Sequence, residues 1–281
     1  MPKNLIRYCY TILLIVFAVS ALPTHTKAQT DLDKERIRKN NVHNVTIKKF
    51  DKADMKDDGA TVEATLEFDR DGNMIKYTNN ISNTDVFTIT RKYENGLLIS
   101  SKDTKNGKPN VFEVYHYDEK NKLSHKTTVI SYDKQDHKDT TTTAYEYNEN
   151  GSIKLTRVKG SYLKDFGDVI TEYSYDNNGN ETSQIRKNKD GGVEMSINKM
   201  YDEKNKVIDY NIFNGHDFFM HTTYEYDSSG ALIKNTKFDE NGAEKSEMNY
   251  KNDANGLVQI SIFFDEVKHN WLYRKYTYTH Y

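Results

Sequence analysis

The sequence predicts an all-β protein, an antiparallel meander of β-hairpin repeats of about 25 residues that forms a strongly coiled, barrel-like or spiral sheet. A Tyr-x-Tyr-Asp motif recurs along the chain, turn signals follow each copy, and no helical period of useful length is present except a short stretch near residues 31–39. A fixed period in this range indicates one supersecondary unit that is stacked many times. The anchor residues of successive copies, 24 to 30 positions apart, are Phe68, Tyr93, Tyr117, Tyr147, Tyr175, Tyr201, Tyr226 and Asn252.

The segment after each anchor predicts a turn. Asp at the first position accepts hydrogen bonds from backbone donors two residues on, and Gly at the fourth supplies a positive φ without steric cost. The segments 176–179 and 227–230 fit this pattern directly, whereas Asn121 and Asn205 replace the glycine in two other copies. Such a turn joins the two strands of a hairpin and often carries a bulge.

The residues that flank each turn predict how the strands pair. Tyrosines two positions apart point to one face of a strand. We expect the second tyrosine to lie opposite the aliphatic residue that follows the turn by two positions, namely Met74, Leu98, Leu123, Ile153, Val207, Leu232 or Val258. Glu181 breaks this rule in the fifth unit, so that hairpin is expected to be the weakest or the most exposed. A second turn midway through most units predicts about sixteen to eighteen strands.

The first 28 residues predict an export signal. Lys3 and Arg7 form a positive segment, residues 12–18 are apolar but too short to span a bilayer, and residues 26–28 offer a cleavage site with small side chains. Cys9 is the one cysteine of the chain and lies inside this segment. The mature protein is therefore expected to lack disulfides and cysteine metal sites.

These signals divide the chain into three parts and predict its location. We expect a signal peptide over 1–28, a lead-in segment with the first strand over 29–60, and the repeat domain over 61–281. The export signal predicts a periplasmic or extracellular protein.

Charge composition argues against several partners. The chain has 40 basic and 42 acidic residues with both signs interspersed, so no basic stripe is available for nucleic acid or anionic lipid. Lys, Glu and Asn occur at both parities of the predicted strands, so we expect no lipid-facing apolar band and no membrane insertion after signal cleavage. The expected partner is an envelope protein or a glycan.

The repeat resembles the YD repeat of the RHS/YD-repeat superfamily, in which Tyr-x-Tyr-Asp-x-x-Gly precedes an aliphatic residue. The resemblance covers roughly residues 60–281, with its best matches at 145–153, 173–180 and 224–232. It implies hairpins wound into a shell and roles in toxin encapsulation, cell-surface contact or carbohydrate binding. The chain is too short to enclose a toxin and lacks the arginine that often follows the turn glycine. It looks more like small exported YD-repeat proteins of Bacteroidetes-type bacteria, some described as porin-like in fold.

The sequence offers little catalytic chemistry. His216 and His221 lie five residues apart, which places them on opposite faces of a strand rather than around one metal ion. The segments 69–73 and 176–180 look superficially like calcium loops but lack the required spacing and distal glutamate, and the turn pattern explains them. We therefore predict no enzyme activity, no metal and no cofactor.

Aromatic residues are the remaining candidates for ligand binding. The densest cluster lies in the final strand and supplies the candidate ligand-binding residues Trp271, Tyr273, Tyr276 and Tyr278. The alternative is that these rings form the core of the last hairpin. Likewise, Phe263 and Phe264 place one ring on each sheet face. The predicted function is a non-catalytic exported interaction or structural protein of the bacterial envelope or exterior. The alternatives are a carbohydrate-binding module with exposed aromatics, an unrecognised hydrolase, and an inhibitor or immunity role.

Overall fold

A computed structural model describes residues 34–56, 60–82, 84–131, 138–163, 167–265 and 270–281. The predicted signal peptide lies outside these residues. The described chain contains a helix, α1 (Lys34–Lys39), a 3-10 turn (Ser161–Leu163) and 18 strands. The strands are β1 (Val42–Phe50), β2 (Thr61–Phe68), β3 (Met74–Asn80), β4 (Val86–Glu94), β5 (Leu97–Lys105), β6 (Lys108–Tyr117), β7 (Leu123–Ser131), β8 (Lys138–Tyr147), β9 (Ile153–Gly160), β10 (Val169–Tyr175), β11 (Glu181–Lys187), β12 (Val193–Tyr201), β13 (Val207–Asn214), β14 (Asp217–Tyr226), β15 (Leu232–Phe238), β16 (Glu244–Asn252), β17 (Val258–Asp265) and β18 (Asn270–His280).

All 18 strands belong to one antiparallel sheet that closes on itself. Each strand pairs with its neighbours in the chain, and β18 also pairs with β1, where Tyr276 lies opposite Ile47. The sheet is therefore a barrel without a free edge, which removes the unpaired backbone groups that an open meander would present. The predicted all-β meander is confirmed, and of the two forms that the sequence allowed it takes the barrel.

The Asp-x-x-Gly segments form the predicted turns because each Asp side chain caps the backbone that follows it. In the first turn, Asp69 Oδ1 accepts hydrogen bonds from the N–H groups of Asp71 at 3.0 Å and Asn73 at 2.8 Å. The fourth position has a positive φ, 78° at Gly179 and 59° at Asn205, which these two residue types tolerate. The same pair of backbone bonds recurs at Asp118, Asp176, Asp202, Asp239 and Asp253.

The predicted cross-strand partners are confirmed. A β-bulge falls at the anchor of each hairpin and sets this register. The anchor and the post-turn aliphatic residue lie opposite each other at Phe68–Met74, Tyr93–Leu98, Tyr117–Leu123, Tyr147–Ile153, Tyr201–Val207, Tyr226–Leu232 and Asn252–Val258.

The fifth unit differs from the expectation in one respect. Glu181 lies opposite Tyr175, where the other units carry an aliphatic residue. Its side chain is only 10% exposed, and Oε1 accepts hydrogen bonds from Lys199 Nζ and from Gln184 Nε2, both at 2.6 Å. The carboxylate is thus tolerated by pairing with an ammonium group that is itself buried.

The second tyrosine of each Tyr-x-Tyr motif donates a hydrogen bond to the preceding repeat unit. Tyr226 Oη donates to the carbonyl of Val207 at 2.9 Å, and Val207 is the post-turn residue of the previous hairpin. Asn252 keeps the contact with its amide, which donates to the Leu232 carbonyl at 2.9 Å. We call this set the tyrosine ladder. Its donors are Tyr93, Tyr117, Tyr147, Tyr175, Tyr201, Tyr226, Asn252 and Tyr278.

Helix α1 connects turns that lie far apart in the sequence. Ile37 is fully buried in an apolar cluster with Val45 of β1 and Leu257, which follows the turn between β16 and β17. Arg36 donates to the carbonyls of Gly256 at 2.9 Å and Ser229 at 3.2 Å. Lys34 hydrogen-bonds the side chain of Asn73. The helix therefore holds the turn after β2 together with the turns after β14 and β16.

The two faces of the barrel differ in burial. Along β6, Val111, Glu113 and Tyr115 are buried on one face, whereas Phe112 on the other face is exposed. In a closed barrel the buried set faces the interior, so we call it the inner face. Within the described residues, no helix is long and apolar enough to cross a membrane.

Candidate functional site

The four predicted ligand-binding residues do not share one face. Strand alternation along β18 puts Trp271 and Tyr273 on the outer face and Tyr276 and Tyr278 on the inner face. Tyr276 is buried and lies 3.2 Å from Ser261 Oγ. Tyr278 belongs to the tyrosine ladder, with its hydroxyl 2.6 Å from the Val258 carbonyl. These two rings contribute to the scaffold, while ligand binding at Trp271 and Tyr273 stays a prediction.

Trp271 lies in a groove on the outer face where β16, β17 and β18 run side by side. Its side chain is 45% exposed, although it is one of the largest apolar side chains of the protein. It pairs in register with Phe264, and the two rings meet edge to face with centroids 5.4 Å apart at 65°. The groove has a volume of about 500 Å³ and is also lined by Glu244, Lys245, Ser246 and Glu247.

Two carboxylates, Glu244 and Glu247, and one ammonium group, Lys245, line this groove, and ion pairs connect them to the neighbouring strands. Glu247 Oε2 lies 2.8 Å from Lys234 Nζ, and Glu225 Oε1 lies 4.0 Å from the same ammonium group. The hydrogen bond that Lys234 donates to Glu247, together with the charges of Glu247, Glu225 and Glu244, raises the pKa of Lys234. The same hydrogen bond lowers the pKa of Glu247, so this carboxylate is ionised at neutral pH. Lys245 is engaged by Asp239 at 2.9 Å.

A second cluster of ionisable groups is buried on the inner face of β5 to β7. Glu113 accepts hydrogen bonds from Lys126 Nζ at 2.6 Å, from Tyr115 Oη at 2.7 Å and from Thr128 Oγ1 at 3.4 Å. Asp103 on the neighbouring strand is also buried. Burial, followed by the nearby charge of Glu113, raises the pKa of Asp103 to about 6, although Arg91 opposes the shift.

This inner cluster bears on the hydrolase alternative. Two neighbouring carboxylates, one of them with a raised pKa as at Asp103, are an arrangement that acid–base catalysis uses. Here, however, Glu113, Asp103 and Lys126 are each no more than 7% exposed, so a substrate has no path to them in this conformation. The geometry supports a structural role, in which the ion pair compensates the charges that the barrel interior buries.

The two histidines do not lie on one strand as predicted, because β14 begins after His216. His221 Nε2 lies 2.7 Å from Asp209 Oδ2, and its ring stacks on Phe238 at 5.2 Å, whereas His216 is exposed in a turn. In the turn at Asp176 the carboxylate is used by the backbone and side chain of Asn180, which also lowers its pKa. Within the described segments, no group of three or more His, Cys, Asp or Glu side chains is arranged to hold a metal ion.

Comparison with known proteins gives no family assignment. No protein-family model matches the chain and no curated protein matches it, so the resemblance to the RHS/YD superfamily is not confirmed.

Solved structures with a related outline include a porin-like protein from Bacteroides uniformis, 10% identical, with a TM-score of 0.42 over 85% of this chain and 97% of that one. A porin-like protein from Bacteroides vulgatus is 12% identical, with a TM-score of 0.31 over 85% of this chain and 98% of that one. A Photorhabdus luminescens Tc holotoxin pore structure is 14% identical, with a TM-score of 0.31 over 75% of this chain and 16% of that one. Scores at this level establish neither family nor function for this chain.

Proposed function

We propose that this protein is an exported, non-catalytic binding protein of the bacterial envelope or exterior, in which the closed barrel is a scaffold and the outer face of β16 to β18 is the contact surface. The observation that carries the proposal is Trp271, a large apolar ring left 45% exposed beside Phe264 in a groove. Ligand and partner sites are commonly concave and lined by aromatic side chains.

The polar side chains of the repeats support the role of the barrel as a scaffold. The second tyrosine of each repeat uses its hydroxyl on the preceding unit, as Tyr147 does on the Leu123 carbonyl at 2.7 Å. The buried charges of Glu113 and Glu181 are paired with lysines. These polar groups stabilise the barrel and are not available to a ligand.

The polar side chains of the outer face favour a barrel that is not inserted in a membrane. On β8, for example, the outward positions carry Lys138, Thr140, Thr142 and Glu146. A transmembrane barrel needs an apolar band on this face, and charged side chains there are costly at the bilayer centre. Export itself rests on the charged, apolar and small-residue segments of residues 1–28.

A partner search with matched variants tests the proposal. Residues 29–281 are immobilised as wild type, Trp271→Ala and Phe112→Ala, then incubated under native conditions with envelope extract of the producing bacterium, crosslinked and examined by mass spectrometry for protein and glycan. Phe112 is the control because it is an exposed aromatic ring of the outer face on β6, away from the groove. We expect the wild type and Phe112→Ala to retain the same partner and Trp271→Ala to lose it. A partner that is absent, or equally retained by all three, contradicts the proposal.

A carbohydrate is the second candidate partner. Trp271 and Tyr273 lie two residues apart on the outer face, and aromatic rings in such a row stack on sugar rings. Glycan binding that is unchanged in the double variant Trp271→Ala, Tyr273→Ala would remove this candidate.

A further inference from the structure

We propose that His116 and His125 form a binding site for a divalent transition-metal ion of the kind that imidazole prefers, Cu²⁺ above all, on the outer face of β6 and β7. The site lies apart from the groove beside Trp271 and does not depend on the proposed function.

The two histidines are cross-strand partners. In the register of β6 and β7, His116 lies directly opposite His125, and both side chains leave the sheet on the outer face, as Phe112 does. The rings stack with their centroids 4.2 Å apart and their planes 8° from parallel. His116 is exposed and His125 is half-buried, so an ion can reach the pair from solvent.

The spacing of the rings suits a shared ion. Imidazole nitrogens bind a metal such as Zn²⁺ at about 2.0–2.1 Å, so two nitrogens on one ion lie roughly 3–3.5 Å apart in a tetrahedral or cis arrangement. The stacked rings are close to this separation. The χ2 torsion of histidine is broad, so each ring can turn toward a common ion at little cost.

A serine at the β-bulge fixes which nitrogen of His125 is free to bind. Ser124 is the extra residue between the histidine pair and the Tyr117–Leu123 pair. Its Oγ donates to the His116 carbonyl at 2.9 Å, which uses the one proton of the hydroxyl. The same Oγ lies 3.0 Å from His125 Nδ1, so it accepts there and Nδ1 carries the proton. The lone pair of the neutral ring is therefore on Nε2, and a hydrogen bond at the opposite nitrogen is how metal-binding histidines are oriented.

Other hairpins show that the fold does not need histidines at this position. The same outward pair, immediately before the bulge, is Glu67–Lys76 in the first hairpin, where the two groups form an ion pair at 3.0 Å. In a later hairpin it is Glu225–Lys234, with the charged groups 4.0 Å apart. Solvated ion pairs satisfy the position there, so the requirements of the repeat do not account for two imidazoles.

Ligand chemistry, rather than a negative field, selects the ion. Ala144, opposite the second histidine on β8, and the next outward pair, Val114 and Thr127, are uncharged. Arg157, opposite Ala144 on β9, lies 3.6 Å from Asp168. Imidazole suits Cu²⁺, Ni²⁺ and Zn²⁺, with Cu²⁺ bound most tightly, whereas Ca²⁺ and Mg²⁺ require oxygen ligands. Two protein ligands leave the remaining coordination positions to water.

Copper titration tests the site directly. Residues 29–281, produced without a histidine tag, are titrated with Cu²⁺ and followed by electron paramagnetic resonance, which reports the nitrogen ligands of the ion. We expect one Cu²⁺ per chain with two imidazole nitrogens, displaced by excess Zn²⁺ but not by Ca²⁺. Affinity should fall in acid, because protons compete for the same nitrogens.

Matched variants assign the ligands. His116→Gln and His125→Gln should each weaken Cu²⁺ binding by at least about tenfold, since the loss of an outer hydrogen-bond partner alone has that effect. Ser124→Ala keeps both ligands and should weaken binding about tenfold, whereas Ser124→Thr should restore it. The control His216→Gln removes an exposed histidine of a turn and should leave the affinity unchanged. Circular dichroism of each variant checks that the barrel is intact.

Two outcomes would overturn the inference. One is a wild type that binds Cu²⁺ no more tightly than the double variant His116→Gln, His125→Gln, and the other is an equal loss in His216→Gln. Trp271→Ala should bind Cu²⁺ as the wild type does, so failure of the metal site and failure of the proposed contact surface are distinguishable.

Discussion

Replacing Tyr226 by phenylalanine tests whether the tyrosine ladder stabilises the barrel. The change removes one hydroxyl and keeps the ring, so apolar burial is unaffected. The lost bond joins Tyr226 Oη to the Val207 carbonyl at 2.9 Å, and Val207 is 3% exposed, so water cannot easily replace the donor. A net hydrogen bond is worth about 0.5–1.5 kcal/mol, and an unsatisfied buried acceptor costs about 1–3 kcal/mol. We therefore expect the free energy of unfolding to fall by about 1–2 kcal/mol.

The measurement is urea unfolding of Tyr226→Phe beside the wild type, followed by far-ultraviolet circular dichroism. The slope against urea should be unchanged, because the surface exposed on unfolding is the same. Burial raises the pKa of Tyr226 to about 12, so the hydroxyl remains a donor and the loss should be constant between pH 6 and pH 9. Tyr273→Phe is the control, since this hydroxyl lies on the outer face outside the ladder. A loss below about 0.3 kcal/mol, or one equal to that of the control, would refute the structural role of the ladder.

Three further changes test other parts of the structure. The folded pKa of Asp103, about 6, lies above its ordinary value of 3.8, so the ionised carboxylate destabilises the fold as pH rises through 6. Asp103→Asn should therefore raise the free energy of unfolding by about 2 kcal/mol at pH 8 and give no gain at pH 3. A gain that is equal at both pH values would contradict this assignment. Lys126→Met should lower the free energy of unfolding, measured in urea, by about 3–5 kcal/mol, because it leaves the buried Glu113 without its ammonium partner. The double variant Lys126→Met, Glu113→Gln should recover most of that loss. A double variant as unstable as the single one would contradict the stabilising role of the ion pair. Gly256→Ala should lower the melting temperature more than Gly242→Ala. Both glycines have a φ near 77°, but a Cβ at Gly256 would lie 2.7 Å from Arg36 Nη1, whereas the space at Gly242 is open. Equal losses would show that helix α1 does not need the contact between Arg36 and the turn at Gly256.

The repeat made most of the fold predictable. Turn chemistry at positions such as Asp176 and Gly179 is local, and the two-residue period of a strand fixes which side chains face each other across a hairpin. The pairing of Tyr117 with Leu123 follows from those two rules alone. Barrel closure could not be derived in this way, because it depends on how twist accumulates over the whole sheet and on contacts between the ends of the chain.

The site was predicted only in part. Trp271 was identified because it is rare and lies in a dense aromatic stretch, but strand alternation separates it from Tyr276 and Tyr278. Glu247 was not identified, because its position in the groove with Trp271 depends on the lateral register of β16 to β18. The carbonyl acceptors of the tyrosine ladder were missed for a related reason, since a backbone oxygen 19 to 24 residues away leaves no signal in side-chain pattern.

Site-specific photocrosslinking at position 271 tests most directly whether the outer face beside Trp271 is the binding surface. A photoreactive phenylalanine analogue replaces Trp271 in one variant and Phe112 in another, and both are produced in the native bacterium and irradiated in living cells. The account predicts one discrete adduct from position 271 and none from position 112. Equal adducts from both positions, or adducts from position 112 alone, would contradict it.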